Sequence, residues 1–240
     1  KHAGIDFWSV SWWGQNRQDE TFKDHILKHP DAAKLKYAVL YESTGRLGSM
    51  RSPSYKNLVP DFDYFTDQYF NHPNYLKVDG KPVVFIYLTR VYFRLDEGKR
   101  ALETLRLKHP NLYIVGDDVF GPNYPASAAS QWNAITAYDV YGQSTKIRGG
   151  TKAGIERLKN NYSKAKAKAN KVGTGFVPAI APGYNDRAVR KGNPGRSRYF
   201  DDVKESKEGD LFRSMIKDVA MPLTDPKAKN MIMVTSFNEW

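Results

Sequence analysis

The sequence predicts an α/β fold, a (β/α)8 TIM barrel, on three observations. Short runs rich in β-branched and aromatic residues recur along the chain, each followed by a loop and a stretch of helical composition. The runs are near-continuously apolar rather than alternating, the pattern of strands buried on both faces of a parallel sheet. Carboxylates, aromatics and arginines gather just after the runs, where a parallel barrel carries its active site.

In chain order the predicted strands are Phe7–Trp13, Leu35–Glu42, Pro82–Leu88, Leu112–Asp118, Ala134–Tyr141, Gly175–Ala181 and Met231–Phe237. Between them Asp19–Leu27, Phe62–Tyr69, Leu95–Lys108, Thr151–Lys171 and Asp210–Val219 have helical composition. The turn Gly80-Lys81-Pro82 stops one helix and starts the third strand. Seven runs fall one short of a closed barrel. His2 to Asp6 reads as a helix end entering a strand, so one β/α unit is expected before Lys1. Met231–Phe237 runs into Asn238-Glu239-Trp240 with no closing helix, so the expectation is a single barrel domain over 1–240, incomplete at both ends. A doubly wound open sheet is the alternative, weakened because no Gly-rich phosphate loop follows an early strand.

Composition sets the class. The 240 residues are 40% apolar and 26% charged, which is globular, and they suit one barrel of about 250 residues. Lys+Arg exceeds Asp+Glu by 37 − 26 = 11, which raises nucleic acid or acidic glycans as partners. The basic residues form no groove-sized patch, and the densest run, Lys152 to Lys171, reads as a solvated helix, so no nucleic-acid partner is expected. With no cysteine, disulfides, thiolate metal sites and a Cys nucleophile are excluded, while the compartment stays open. No run reaches the roughly 20 apolar residues of a membrane span. Asn161-Tyr162-Ser163 is a glycosylation sequon, a triplet that arises often by chance.

The strand ends decide the chemistry. They deliver Ser11-Trp12-Trp13-Gly14, then Tyr41-Glu42 with Arg46, then Tyr87 with Arg90, then Asp117-Asp118. Later ends deliver Tyr138-Asp139-Val140-Tyr141, Pro182-Gly183-Tyr184-Asn185-Asp186 and Asn238-Glu239-Trp240. No histidine lies at a strand end, which removes a Ser-His-Asp set and disfavours zinc; His25, His29, His72 and His109 are assigned to capping or packing. Carboxylates among aromatic platforms suit cleavage of a glycosidic bond, where positive charge builds on the ring and two acids handle protons.

These residues carry a resemblance. Ala3-Gly4-Ile5-Asp6 leading to Ser11-Trp12-Trp13-Gly14, Leu40-Tyr41-Glu42 with Arg46, and Asn71-His72-Pro73-Asn74-Tyr75 before Gly80-Lys81-Pro82 open the series. Pro182-Gly183-Tyr184 with Asp186, Arg190 and Asn193, and then Thr235-Ser236-Phe237-Asn238-Glu239-Trp240, complete it. In this order the set resembles the endo-α-mannosidase family (glycoside hydrolase family 99-like), with its bacterial polysaccharide-cluster relatives.

The resemblance implies a retaining, endo-acting glycoside hydrolase of α-mannoside-like or related polysaccharide linkages. It implies no metal or cofactor and an oligosaccharide or polysaccharide as the partner; the localisation stays unknown, with secreted or periplasmic favoured over the alternatives. Glu239 matches a catalytic glutamate that acts on the sugar's 2-hydroxyl. A second glutamate, the general acid/base, is expected two residues beyond Trp240. Tyr184 and Arg190 match loop residues that shape the cleft, while Glu42, Tyr87 and Tyr138 match residues that line it. The strand-end reading adds Trp13, Arg46, Asp186 and Asn238 to the substrate-binding set. Leu88-Thr89-Arg90 departs from the family pattern, and Trp12-Trp13-Gly14 differs from the animal enzymes. Two other functions share these features: a polysaccharide-assembly or sugar-transferring protein, and a non-catalytic glycan-binding barrel.

Overall fold

The apolar runs become parallel strands, shorter than the runs themselves. In the computed structural model, which describes residues 4–140, 150–183, 191–192 and 200–236, the chain divides into two compact units, Lys1–Asp117 and Asp118–Trp240. The elements alternate in kind as an α/β fold requires.

The first unit opens with β1 (Phe7–Trp12), α1 (Arg17–Thr21) prolonged by a π turn over Phe22–Ile26, β2 (Lys36–Tyr41) and α2 (Ser43–Arg46). A small hairpin, β3 (Gly48–Ser49) and β4 (Ser52–Pro53), precedes α3 (Leu58–Phe65), which a π turn extends over Thr66–Phe70. Then come β5 (Lys77–Val78), β6 (Lys81–Ile86), α4 (Thr89–Tyr92), α5 (Asp96–Lys108) and β7 (Tyr113–Asp117). Strands β1, β2, β6 and β7 pair in that order, all parallel, and β5 adds antiparallel to β6.

The central strands are buried as their sequence predicts: Val83, Val84, Phe85 and Ile86 are at most 2% exposed. Each such side chain contributes about 1.5–3 kcal/mol by leaving water. Strand β1 departs from the expectation of burial on both faces, because within its unit it pairs only with β2; Trp8 and Ser11 are exposed. Helix α3 lays Leu58, Phe62 and Phe65 on the sheet at helical spacing, where Phe62 and Phe65 meet Tyr41. In α5 the acidic Asp96 and Glu97 occupy the first turn and the basic Arg106 and Lys108 the last, matching the helix dipole.

Three of the histidines pack or cap, while His25 is exposed. His29 Nδ1 accepts from Asp31 N at 3.1 Å at the start of a 3-10 turn, and His72 Nδ1 accepts from Asn74 N at 3.2 Å. His109 ends α5, with Nε2 2.9 Å from Asp63 Oδ1.

The second unit contains α6 (Ala126–Ala129), β8 (Ala134–Thr136), α7 (Gly150–Lys171), β9 (Gly175–Phe176) and β10 (Ala179–Ile180). It continues with α8 (Asp210–Ser214), a π turn over Met215–Ala220 leading into α9 (Met221–Leu223), and β11 (Met233–Val234). The predicted strand Gly175–Ala181 is two strands. Its first half pairs parallel with β8 and its second with β11. The break falls at Pro178, which has no N–H to give a ladder, while its carbonyl accepts from Met233 N at 2.9 Å.

Helix α7 corrects its reading as a merely solvated helix. Ile155, Leu158, Tyr162, Ala165 and Ala169 form a buried stripe at alternating spacings of three and four residues. Two of its lysines are held, Lys166 Nζ donating to Thr224 O at 2.6 Å and Lys168 Nζ to Tyr124 O at 2.7 Å. The sequon falls on the buried face: Asn161 is 3% exposed and Tyr162 wholly buried, so the folded helix offers no acceptor amide for a glycan. Among the described residues no helix is long and apolar enough to cross a membrane.

Candidate active site

The register of the first sheet aligns its strand ends. Trp12 pairs with Tyr41, and Tyr41 with Ile86. The ladder continues one step further: Glu42 N donates to Trp12 O at 3.2 Å and Tyr87 N to Tyr41 O at 3.1 Å. Trp13, Glu42 and Tyr87 therefore leave three neighbouring strands at one end of the sheet, side by side. Glu42 is buried at 5% exposure, Tyr87 is half-buried, and Trp13 is 44% exposed.

Beneath them lies a network that the strand-end reading missed. Trp12 turns its indole inward, and Nε1 donates to Asp19 Oδ1 at 2.6 Å. The same buried carboxylate accepts from the hydroxyls of Tyr64 and Tyr69. The guanidinium of Arg46 lies over the Trp12 ring, 5.2 Å from its centroid. Arg46 is paired with buried Asp61 through two parallel hydrogen bonds, Nε to Oδ2 at 2.9 Å and Nη2 to Oδ1 at 2.8 Å. Tyr41 OH also donates to Asp61 Oδ2, at 2.9 Å. Hydrogen bonding to Asp61 holds the Arg46 pKa above its ordinary value. Burial first, and then the Asp61 charge, push the Tyr41 hydroxyl far above the usual tyrosine range, so it remains a donor.

Two glycines let this rim interlock. Gly14 has φ +115°, and a β-carbon there would lie 2.7 Å from Arg46 Nη1. A β-carbon on Gly45 would lie 2.6 Å from Trp13 Cε3. Both contacts are too close for any other residue without displacement. Trp13 therefore has one face against bare backbone and is exposed elsewhere.

The β6 end is held by a second buried aspartate. Leu88 takes a left-handed conformation, φ 49° and ψ 38°, unusual for a branched residue. Its N–H donates to Asp117 Oδ2 at 3.0 Å, and Arg90 Nη1 reaches the same oxygen at 2.9 Å. Ser43 Oγ donates to the Tyr87 carbonyl. Leu88-Thr89-Arg90, the departure noted in the sequence, is thus a turn built around Asp117.

In the second unit Asp118 accepts from Tyr124 OH at 2.7 Å. Tyr138 follows β8 and is half-buried, its carbonyl accepting from Val140 N at 3.0 Å. Tyr184, Asp186, Arg190, Asn238 and Glu239 lie outside the described residues. Of the expected site residues, then, Trp13, Glu42, Arg46 and Tyr87 come together in the first unit. Asp61 was legible in principle: Leu58, Asp61, Phe62 and Phe65 share one helical face, and a carboxylate in that apolar stripe signals a buried partner.

No protein-family model matches the chain, and no curated protein does. Solved structures do. A GH99 endo-α-mannosidase from Bacteroides thetaiotaomicron, in complex with bis-tris propane, matches with a TM-score of 0.66 at 21% identity, over 99% of this chain and 67% of that one. A second structure of the GH99 endo-α-mannosidase from Bacteroides thetaiotaomicron matches with a TM-score of 0.61 at 22% identity, over 99% of this chain and 63% of that one. This chain spans about two thirds of their length. What it shares with these endo-α-mannosidase structures is their α/β fold.

Proposed function

We propose that the chain is the larger part of a (β/α)8-barrel glycoside hydrolase, retaining and endo-acting on α-mannoside-like or related polysaccharides. The observation that carries this reading is the row of Trp13, Glu42 and Tyr87 at one sheet end, with the guanidinium of Arg46 beside it. An exposed aromatic face, a buried carboxylate and an oriented donor are what a polyhydroxylated ring needs for stacking and hydrogen bonding. The shared fold with structures of GH99 endo-α-mannosidases supports it, as does the ordered set of sequence motifs.

In this reading Glu239 takes the proton of the sugar 2-hydroxyl while that oxygen attacks the anomeric carbon. The glycosidic bond breaks, and the leaving oxygen receives a proton from the second glutamate, expected two residues beyond Trp240. The resulting 1,2-anhydro sugar is opened by water, which gives its proton to that glutamate as Glu239 returns its own to the 2-oxygen. Two inversions at the anomeric carbon give net retention. Trp13, Tyr87, Tyr138, Tyr184, Asp186, Arg190 and Asn238 bind and orient the glycan, with Glu42 and Arg46.

The test is Glu239→Gln in the intact protein, assayed on soluble α-mannan. Loss of a general base costs about 10²–10⁴ in rate. Turnover should fall by that order while melting temperature and mannan binding stay at wild-type values. Normal turnover by the variant defeats the catalytic assignment, and unfolding makes Glu239 a structural residue.

A further inference from the structure

We infer that Asp61 is a positioning residue, which aims Arg46 so that the guanidinium edge opposite the ion pair donates to an oxygen of the bound glycan. The inference rests on the glycan-cleft reading above and assigns a role within that cleft to a residue far from any strand end.

The geometry is that of a clamp. Asp61, 3% exposed, takes the Nε and Nη2 of Arg46 in a bidentate pair, which fixes the plane of the guanidinium as well as its place. Tyr41 OH supplies a third bond to the carboxylate, so Asp61 is itself oriented. The Trp12 ring forms the floor of the clamp, and its own tilt is set by the bond from Nε1 to Asp19. Asp61 and Trp12 thus fix the Arg46 cation on two sides, Asp19 acting only through Trp12.

What the clamp leaves over is Nη1. It donates to no other residue among those described, and it lies beside Gly14, where a β-carbon would sit 2.7 Å away. Glycine at position 14 therefore leaves the room that this edge occupies, which a β-carbon would press upon. The arginine side chain is 23% exposed against 4% for Asp61, so the pair is open on the arginine's side alone. Arg46 stands four residues after Glu42, on the short helix that begins where β2 ends. A planar donor locked on one edge and open on the other suits a neutral hydroxyl or ether oxygen: its charge is already balanced by Asp61, so it adds direction more than attraction for anions.

Lysine at position 46 distinguishes this role from a structural ion pair. Its ammonium can satisfy Asp61 but has no second, pre-aimed edge. The experiment compares wild type, Arg46→Lys, Asp61→Asn and the double variant in the intact protein on soluble α-mannan, with melting temperature recorded for each. Arg46→Lys should keep its melting temperature within a few degrees and lose kcat/KM by on the order of 10- to 100-fold, the loss of one charge-assisted hydrogen bond. Asp61→Asn should lose a similar factor, and the double variant no more than the larger single loss, because Asp61 acts through Arg46. Losses that multiply, or Arg46→Lys with wild-type kcat/KM, overturn the inference. An unchanged KM with a displaced pH–rate profile also overturns it, by assigning the Nη1 edge to a carboxylate of the protein. If Asp61→Asn does not fold, Arg46→Lys alone decides. A wild-type protein that neither binds nor cleaves the mannan defeats the hydrolase reading instead. The clamp is then read separately from the Arg46 Nε–H resonance, protected from exchange in wild type and lost in Asp61→Asn.

Discussion

Trp13 rests on the bare backbone of Gly45, so close that a β-carbon at position 45 would stand 2.6 Å from its ring. The contact fixes the indole from below while 44% of the residue remains exposed. Gly45→Ala should push the ring out of place. Overpacking of this kind costs about 1–3 kcal/mol, partly relieved because the ring can swing into solvent. The measurable result is weaker quenching of tryptophan fluorescence by mannan, with a small fall in melting temperature. Trp13→Ala should abolish the same quenching with stability changed by no more than about 0.5 kcal/mol, as for an exposed side chain. A Gly45→Ala variant with unaltered fluorescence and binding would show the contact to be incidental.

The Asp19 carboxylate is buried beneath three donors, Trp12 Nε1 and the hydroxyls of Tyr64 and Tyr69. Removing one hydroxyl leaves a charge less well solvated by the protein. Tyr69→Phe should therefore lower stability by about 1.5–3 kcal/mol, the range for a hydrogen bond to a charged group. Urea unfolding should show a lower midpoint with an unchanged slope. No shift in the midpoint would mean that Asp19 does not depend on Tyr69.

Alkali should unfold the first unit through its tyrosines. Burial raises the pKa of Tyr37, Tyr41, Tyr69 and Tyr75 well above the ordinary 10.0, and the charges of Asp61 and Asp19 add to the rise at Tyr41 and Tyr69. Each folded hydroxyl holds its proton more tightly than in the unfolded chain. Their contribution is complete below pH 10.0 and is lost as pH climbs above it. Tyrosinate absorbance should then appear in one cooperative step together with loss of circular dichroism. Gradual ionisation with the fold intact would contradict the burial.

On the acid side Asp63 is the group to watch. Lys108 Nζ at 2.6 Å and His109 Nε2 at 2.9 Å hold its pKa below the ordinary 3.8, hydrogen bonding to Lys108 first. A depressed carboxylate contributes above its unfolded value and loses that contribution as pH falls below 3.8 towards the folded value. Because Asp63 is 38% exposed, water and salt screen much of it. Asp63→Asn should cost well under about 1 kcal/mol at neutral pH, and less in high salt. A large, salt-insensitive loss would reveal a buried role.

The sequence by itself determined the alternation of strands and helices, because continuous apolar runs such as Tyr37–Tyr41 and Val83–Ile86 have no soluble alternative to a covered parallel strand. It also placed Trp13, Glu42, Arg46 and Tyr87 together, since residues that follow parallel strands emerge at the same end. The limits of each strand were decided by its partners: the run Gly175–Ala181 divides at Pro178 because each half finds a different neighbour. The helix over Gly150–Lys171 looked solvated because alanine and tyrosine form a weak apolar signal, and packing alone revealed which face they bury. Tertiary structure alone joined Asp61 to Arg46 fifteen residues earlier, and Asp19 to Tyr64 and Tyr69 forty-five and fifty residues later. Local pattern reports that a carboxylate is misplaced in an apolar stripe. Which cation or hydroxyl meets it depends on how strand register and helix packing bring distant segments together, and no periodicity along the chain encodes that distance.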